Sequence, residues 1–184
     1  MHIINEKGRS MIEMLGVLAI IGVLTVGSLS IIGKARQQYT ITQILNETTT
    51  LVSSARKMAC DYDDAYGSYT NMLYRSDAYP EGVTFKKEGD SASFVLSSDA
   101  EIAIDADGEN NSAFKVTLSN IPASACVAVL TSDWNTNGLI SAATNQSSEA
   151  KVKVVDLDVA ATACAGEGAE LILTFTGCTR ADQE

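Results

Sequence analysis

The hydrophobic pattern of the chain begins with one long apolar run. Residues 14–32 are apolar or small and contain neither a charged residue nor a proline. About twenty such residues are enough to cross a bilayer as a helix. We therefore predict a membrane helix over residues 9–36, preceded by a short polar segment over residues 1–8.

A second pattern starts at Ile41, where apolar and small residues recur every three or four positions. This spacing places them on one face of a helix, so the helix is predicted to continue through residues 37–59 as an amphipathic segment. We expect that face to pack on the protein's own sheet, the alternative being a helix of another molecule. The predicted inward residues are Ile44, Leu45, Thr48, Leu51, Val52, Ala55, Met58 and Ala59.

The remainder of the chain, residues 60–184, contains short alternating runs separated by Gly, Asp, Asn and Ser. Such runs are typical of strands, and Pro122 is of the type favoured at a helix start. Helices and strands interleaved without a regular repeat indicate an α+β fold, with the long helix packed on an antiparallel-rich sheet. The predicted strands are 83–87, 92–96, 101–104, 114–118, 151–157 and 170–176, and the predicted short helices are 71–75, 123–130 and 159–165.

A tyrosine-rich loop is predicted between Cys60 and Gly82. Each tyrosine ring is apolar with a polar tip, so such a cluster can bind carbohydrate or a partner protein. More often it fixes a loop to the core, and this is the role we expect here. The tyrosines are Tyr62, Tyr66, Tyr69, Tyr74 and Tyr79.

Charge and composition exclude several classes of function. The 184 residues carry a formal net charge of -10, and the part after residue 36 has 21 acidic and 9 basic residues. Residues 60–184 are numerous enough to form one compact head. The acidity of this head disfavours direct nucleic-acid binding. The only histidine, His2, lies in the first eight residues. No nucleophile elbow or phosphate-binding glycine loop occurs, so we expect neither an enzyme nor a bound cofactor.

All four cysteines follow the long helix: Cys60, Cys126, Cys164 and Cys178. None has the C-x-x-C spacing typical of zinc or redox sites. Behind an exported N-terminal segment, they indicate two disulfides formed in an oxidising compartment. Four cysteines allow three pairings, and the spacing does not choose among them. The alternative is that one or more are buried thiols.

One loop has the oxygen spacing of a calcium site. Asp133, Asn135 and Asn137 alternate before Gly138, as in a calcium-binding loop. The twelfth position is Thr144, so the bidentate carboxylate is missing and a cation would be held weakly. We therefore expect an ordinary turn and no metal site.

An acidic residue lies at the start of the apolar run. Glu13 comes five positions after Gly8, and an unpaired carboxylate inside the bilayer would cost on the order of 2 kcal/mol. A glycine, this glutamate and an uninterrupted apolar helix together resemble the N-terminus of a type IV prepilin. The resemblance implies a leader over residues 1–8, cleavage after Gly8 by a prepilin peptidase, and a mature chain that begins at Arg9 with a methylated amine. It also implies that Glu13 acts in assembly.

The second half of the chain narrows the resemblance to type IVb pilins. One cysteine lies in a short helix after an Ala-Phe-x-Val-x-Leu strand, and another lies in an alanine-rich helix before the last strand. In type IVb pilins two such cysteines form the disulfide that encloses the C-terminal region. The resemblance therefore implies a Cys126–Cys164 disulfide here. Cys60 and Cys178 are then left as a second bridge. Those pilins usually begin with an apolar residue instead of arginine, so a minor pilin or a type II secretion pseudopilin is the alternative.

The resemblance implies a structural function. The chain would polymerise with copies of itself into a bacterial type IVb-like pilus that serves adhesion, conjugation or aggregation. Its other implied partners are the prepilin peptidase and the assembly platform, ATPase and secretin of the pilus machinery. Before assembly the helix would lie in the inner membrane with a periplasmic head, and afterwards the subunit would be extracellular. A further alternative is a membrane-tethered sensor or solute-binding domain. The chain of such a protein would stay in the membrane without being cleaved.

Overall fold

The computed structural model of the protein describes residues 11–61, 68–107, 113–134, 138–144, 157–166 and 169–177. Within these ranges, side chains are described except at residues 11, 12, 26–30, 60 and 61. The chain divides into two compact units, residues 1–39 and residues 40–184. We call the second unit the head.

The long helix predicted from the sequence is confirmed as one continuous element, α1, over Met11–Asp61. It contains no proline to remove a backbone donor. Where a hydroxyl interrupts the apolar run, it bonds to the helix itself: Thr25 Oγ1 donates to the Ile21 carbonyl at 2.7 Å. The run can therefore stay helical without leaving this polar group unpaired.

Within the head, the inward face of α1 contains the residues that the spacing predicts. Ile44, Thr48, Leu51, Val52 and Ala55 are fully buried in the head. The predicted neighbours Leu45, Met58 and Ala59 are partly buried against the same core. The interpretation that this face packs on its own domain is therefore confirmed.

The head contains one antiparallel sheet of six strands in the order β1-β2-β3-β4-β6-β5. The strands predicted before residue 120 and the last predicted strand are confirmed to within two residues at each end. The observed strands are β1 Thr84–Glu88, β2 Ser91–Val95, β3 Glu101–Ala106, β4 Ala113–Ser119, β5 Leu139–Thr144 and β6 Leu171–Thr176.

Alternating burial gives the sheet two different faces. Along β2, β3, β4 and β6, buried residues largely alternate with more exposed ones. This is the pattern expected of a sheet with one packed and one solvated side. Phe114 and Phe175 are cross-strand partners on the packed side, and their ring centroids are 5.5 Å apart. We call the opposite side the outer face.

Three short helices complete the head: α2 Tyr69–Arg75, α3 Ala123–Thr131 and α4 Leu157–Ala163. All three coincide with predicted helices, although α2 and α4 each begin two residues earlier. Thr70 connects α2 to β3, because its Oγ1 accepts a hydrogen bond from the Ile104 amide at 2.8 Å and donates to the Ile104 carbonyl at 3.1 Å. Pro122 precedes the first residue of α3, as expected from its fixed φ.

The sequence interpretation was wrong between α3 and β6. No strand was predicted between residues 119 and 150, yet Leu139–Thr144 forms the edge strand β5. The predicted strand over 151–157 is contradicted at Leu157, which begins α4, and residues 151–156 lie outside the described residues. β5 has little hydrophobic alternation, because its residues include Ser141, Ala142 and Ala143. Its register with β6 also shifts after Leu139. Pairing with β6, not local pattern, makes it a strand.

Candidate functional site

The first unit presents a helix with apolar side chains on all sides. The large apolar side chains with described positions between residues 14 and 32 are 48% to 75% exposed. Fully burying each of them would contribute about 1.5–3 kcal/mol, so this surface favours a lipid or protein environment. The residues are Met14, Leu15, Val17, Leu18, Ile20, Ile21, Val23, Leu24, Ile31 and Ile32. Among the described residues, no helical stretch meets both the length and the hydropathy needed to span a membrane.

Of the predicted processing and assembly residues, the structure describes only Glu13. Gly8 and Arg9 lie outside the described residues. Glu13 is in the first turn of α1 and is exposed. A carboxylate there is favourably placed, since the N-terminus of a helix carries partial positive charge. Cleavage after Gly8 and the assembly function of Glu13 stay predictions.

The disulfide implied by the resemblance is present between Cys126 and Cys164. Cys126 lies inside α3 and Cys164 directly follows α4, and their Cα atoms are 5.9 Å apart. Both residues are at most 1% exposed. The bridge therefore joins α3 to the end of α4, and its two cysteines are 38 positions apart in sequence. Cys178 and the side chain of Cys60 lie outside the described residues, so their pairing stays a prediction.

A buried carboxylate that the sequence analysis missed connects α1 to the sheet. Glu47 is only 7% exposed. Its Oε1 accepts a hydrogen bond from Ser97 Oγ at 2.6 Å, and its Oε2 accepts one from the Ser97 amide at 3.1 Å. Such charge-assisted bonds offset the cost of burying a carboxylate. Its position three residues after Ile44 and four before Leu51 places it on the inward face, which was the available signal.

The described residues on either side of the loop considered as a calcium site, Trp134 and Gly138, have structural roles near the start of β5. Asn135 and Asn137 lie outside the described residues, and no group of three metal-ligating side chains occurs in the described part of the chain. The Trp134 indole donates to the Val129 carbonyl at 2.8 Å and packs edge-on against Phe175. Gly138 has a φ of +74°, and its carbonyl accepts hydrogen bonds from the Thr176 amide and hydroxyl.

The described tyrosines of the predicted loop mostly contact the core. Tyr69 is 4% exposed, its ring lies 5.9 Å from that of Phe114, and burial raises the pKa of its phenol above the ordinary 10.0. Tyr74 stacks on Phe85 with centroids 4.0 Å apart. Tyr79 packs against Phe94 at 5.2 Å. These contacts favour the expected role of fixing α2 and β1 to the head.

An ion-pair network lies on the outer face of the sheet. The Lys86 ammonium is 3.0 Å from Glu101 Oε1 and 3.2 Å from Glu88 Oε1. Its hydrogen bonds to Glu101 and then Glu88, together with their charges, raise the pKa of Lys86 above the ordinary 10.5. Ser93 Oγ donates a longer bond of 3.5 Å to Glu101 Oε2. The network ties β1, β2 and β3 together across the outer face.

Comparison with known proteins agrees with this architecture. The crystal structure of the type IV b pilin from Salmonella typhi matches with a TM-score of 0.56 and 20% sequence identity, over 74% of this chain and 99% of that chain. The NMR structure of the type IVb pilin (PilS) from Salmonella typhi matches with a TM-score of 0.49 and 22% identity, over 74% and 96% of the two chains. No curated protein sequence matches this chain.

The protein therefore has the type IVb pilin fold, with a long helix on an antiparallel sheet and a disulfide between two short helices. A family model described as PilS N terminal matches residues 33–176, which is more than half of the chain. The chain belongs to this PilS family.

Proposed function

We propose that the chain is a structural subunit of a bacterial type IVb-like pilus. One observation carries the proposal. The chain belongs to a pilin family, and it combines a folded head with an N-terminal helix whose apolar side chains are exposed. A protein surface of that size and character must be covered by lipid or by other subunits. Membership of a structural family also favours a fibre subunit over an enzyme.

The maturation steps extend this proposal. A prepilin peptidase removes residues 1–8, and the mature chain starts at Arg9 with a methylated amine. Residues 9–36 lie in the inner membrane until the assembly platform, driven by its ATPase, moves the subunit into the growing fibre. The fibre leaves the cell through a secretin and serves adhesion, conjugation or aggregation.

Glu13 has a specific function in this scheme. In the fibre its carboxylate pairs with the new amino group at Arg9 of a neighbouring subunit. Two charges in an apolar environment are tolerable when they are paired and hydrogen-bonded, so the pairing fixes the axial register of neighbouring subunits.

The decisive measurement is the N-terminal peptide mass of this chain in material sheared from intact cells. An abundant peptide starting at Arg9 is expected, and its mass also reports methylation. A chain that begins at Arg9 but stays with the membrane would indicate a minor pilin or pseudopilin. A chain that retains Met1 would contradict the proposed processing.

The function of Glu13 is tested separately with Glu13→Gln, which keeps the shape of the side chain. We expect the variant to be cleaved and retained in the membrane but to form few fibres, as measured by the sheared fraction relative to total cellular protein. Glu81→Gln, at an exposed position in the head, is the matched control. Normal fibre yield from Glu13→Gln would refute the pairing.

A further inference from the structure

A short basic segment of α1 follows the exposed apolar run. It contains Lys34, Arg36 and Tyr39, whose side chains we call the basic collar. Every side chain from residue 31 to residue 39 is exposed, and Tyr39 is 69% exposed. The collar lies entirely in the first unit of the chain, residues 1–39. Its polar groups are therefore accessible to a partner.

The length of α1 relates the collar to the acidic residue at the start of the apolar run. Glu13 and Lys34 belong to the same continuous helix and are 21 positions apart. At about 1.5 Å per residue, they are separated by roughly 30 Å along the helix axis. The hydrocarbon core of a bilayer is also about 30 Å thick. A bilayer crossed by residues 14–32 would therefore have Glu13 at one boundary of its hydrocarbon core and the collar at the other.

The collar surrounds the helix instead of forming a stripe. Successive residues of an α-helix are turned by about 100° around its axis, so Lys34 and Arg36 lie on nearly opposite sides. One docked protein would cover one side of the helix, whereas the lipids of a leaflet surround it. This distribution favours lipid headgroups over a single protein partner.

The residue types of the collar suit the boundary between hydrocarbon and water. Lysine and arginine can keep their apolar stems on the hydrocarbon while the charged end reaches the headgroups. Tyrosine is enriched at this level because its ring is apolar and its tip is polar. The guanidinium of Arg36 can also donate two parallel hydrogen bonds to one phosphate. The collar therefore has the donors that a phosphate group needs.

The charge of α1 selects an anionic headgroup. The whole chain has a net charge of -10, yet the exposed charged side chains of α1 between residues 14 and 59 are all cations. The one acidic residue in this part of α1, Glu47, is 7% exposed and accepts hydrogen bonds from Ser97. No carboxylate of α1 between residues 14 and 46 offsets the charge of the collar.

We propose that the basic collar binds the phosphate groups of anionic phospholipids, with Lys34 and Arg36 as the ion-pair partners and Tyr39 as an anchor in the same leaflet. The contact fixes the depth of the helix, because moving either cation into the hydrocarbon would be unfavourable. This inference rests on the proposed location of residues 9–36 in the membrane, and it adds the class of lipid and the residues that recognise it.

The test is electron spin resonance of the full chain in phosphatidylcholine vesicles that contain a trace of spin-labelled lipid. The immobilised fraction is compared for spin-labelled phosphatidylglycerol, which is anionic, and spin-labelled phosphatidylcholine, which has no net charge. We expect the unmodified chain to prefer phosphatidylglycerol. Lys34→Gln/Arg36→Gln should reduce this preference by roughly fivefold for each cation removed.

The matched control is Lys57→Gln/Arg75→Gln, which removes the same two residue types at exposed positions of the head. It should leave the lipid preference unchanged, since neither residue belongs to the collar. Equal losses in the two double variants would reflect only the net charge of the chain and would overturn the proposal.

Resistance to alkaline carbonate, measured on the same vesicles, separates this inference from the proposed location of residues 9–36. A chain that resists extraction but associates equally with both lipids would overturn the lipid contact alone. An unchanged preference in Lys34→Gln/Arg36→Gln would do the same. A chain that carbonate extracts would overturn both proposals. Loss of the preference in the collar variant alone, with extraction resistance retained, supports the lipid contact.

Discussion

At the residue scale, Gly138 lies directly before β5, where an added Cβ would disturb the pairing of β5 with β6. Its φ of +74° is in the left-handed region that favours glycine, and an added Cβ would clash with Thr176 Oγ1. The clash would disturb the two hydrogen bonds that the Gly138 carbonyl accepts from Thr176.

We therefore expect Gly138→Ala to lower the free energy of unfolding by roughly 2–3 kcal/mol, the combined effect of left-handed strain and a steric clash. Gly89→Ala is the matched control, because Gly89 also has a positive φ, +61°, but opens onto free space. It should cost only about 1 kcal/mol. Urea denaturation of both variants measures the difference, and equal losses would mean that the contact with Thr176 is unimportant.

Glu47 gives a second prediction at this scale. Replacing it with Gln should cost about 1.5–3 kcal/mol of stability, because one of its two acceptors becomes an amide donor facing the Ser97 donors. A double-mutant cycle with Ser97→Ala measures the coupling directly by urea denaturation. Glu81→Gln, at an exposed position, should leave stability unchanged. Additive losses in the cycle would show that the two side chains do not stabilise each other.

The buried phenol of Tyr69 is expected to limit the stability of the head at alkaline pH. Burial raises the pKa of its phenol above 10.0, so the folded state favours the neutral form. The contribution of this group is complete below pH 10 and is lost as the pH rises through the raised pKa. Lys86, whose pKa is also raised, loses its charge in a similar range, so the prediction is a difference between variants.

We expect Tyr69→Phe to lose less thermal stability than the unmodified protein between pH 9 and pH 11.5, as measured by melting temperature. Tyr39→Phe, which removes a tyrosine that is 69% exposed, is the control. If both variants follow the pH profile of the unmodified protein, ionisation of Tyr69 does not limit stability.

At the element scale, the disulfide joins α3 to the end of the short helix α4. α4 has seven residues and buries only Ala160 among its helical positions. A helix this short has little stability of its own. The bridge to the buried Cys126 therefore anchors the end of α4 to the core through Cys164.

We expect the double variant Cys126→Ser/Cys164→Ser to lose about 2–4 kcal/mol of unfolding free energy, the usual effect of removing a disulfide. Hydrogen exchange should increase first in α4 and only slightly in β3 and β4, which lie in the centre of the sheet. Uniform loss of protection across the head would indicate that the bridge stabilises the whole domain instead of one element.

At the scale of the whole molecule, the two units have opposite solvent preferences. The head buries a core of large apolar side chains and has a net negative charge, whereas the helix of the first unit exposes apolar side chains. The charge of the head favours solubility. Removing apolar character from the helix should therefore change the location of the protein without unfolding the head.

Ile21→Asp tests this expectation. The variant should decrease in the membrane fraction and be absent from sheared fibres, because a carboxylate in the middle of the apolar run costs roughly 2.5–3.5 kcal/mol on insertion. Thr162→Asp, at an exposed position of α4, should fractionate normally. Membrane retention of Ile21→Asp equal to that of the unmodified protein would contradict the proposed location of residues 9–36 in the membrane.

Local patterns determined much of this fold from the sequence alone. The three-to-four spacing after Ile41 identified the buried face of α1, and alternation identified the strands from β1 to β4 as well as β6. These features depend on neighbours within one or two turns, or within one strand, so the periodicity of side chains is sufficient to predict them. The resemblance of Gly8, Glu13 and the apolar run to a prepilin N-terminus led to a family that the matching family model confirms.

Only the tertiary structure decided the features that join distant residues. Ser141, Ala142 and Ala143 become a strand because β6 provides the hydrogen-bond partners. Glu47 is buried because Ser97, 50 positions later, satisfies it. No periodicity in the chain encodes such contacts, since their free energy arises only when separate segments are brought together.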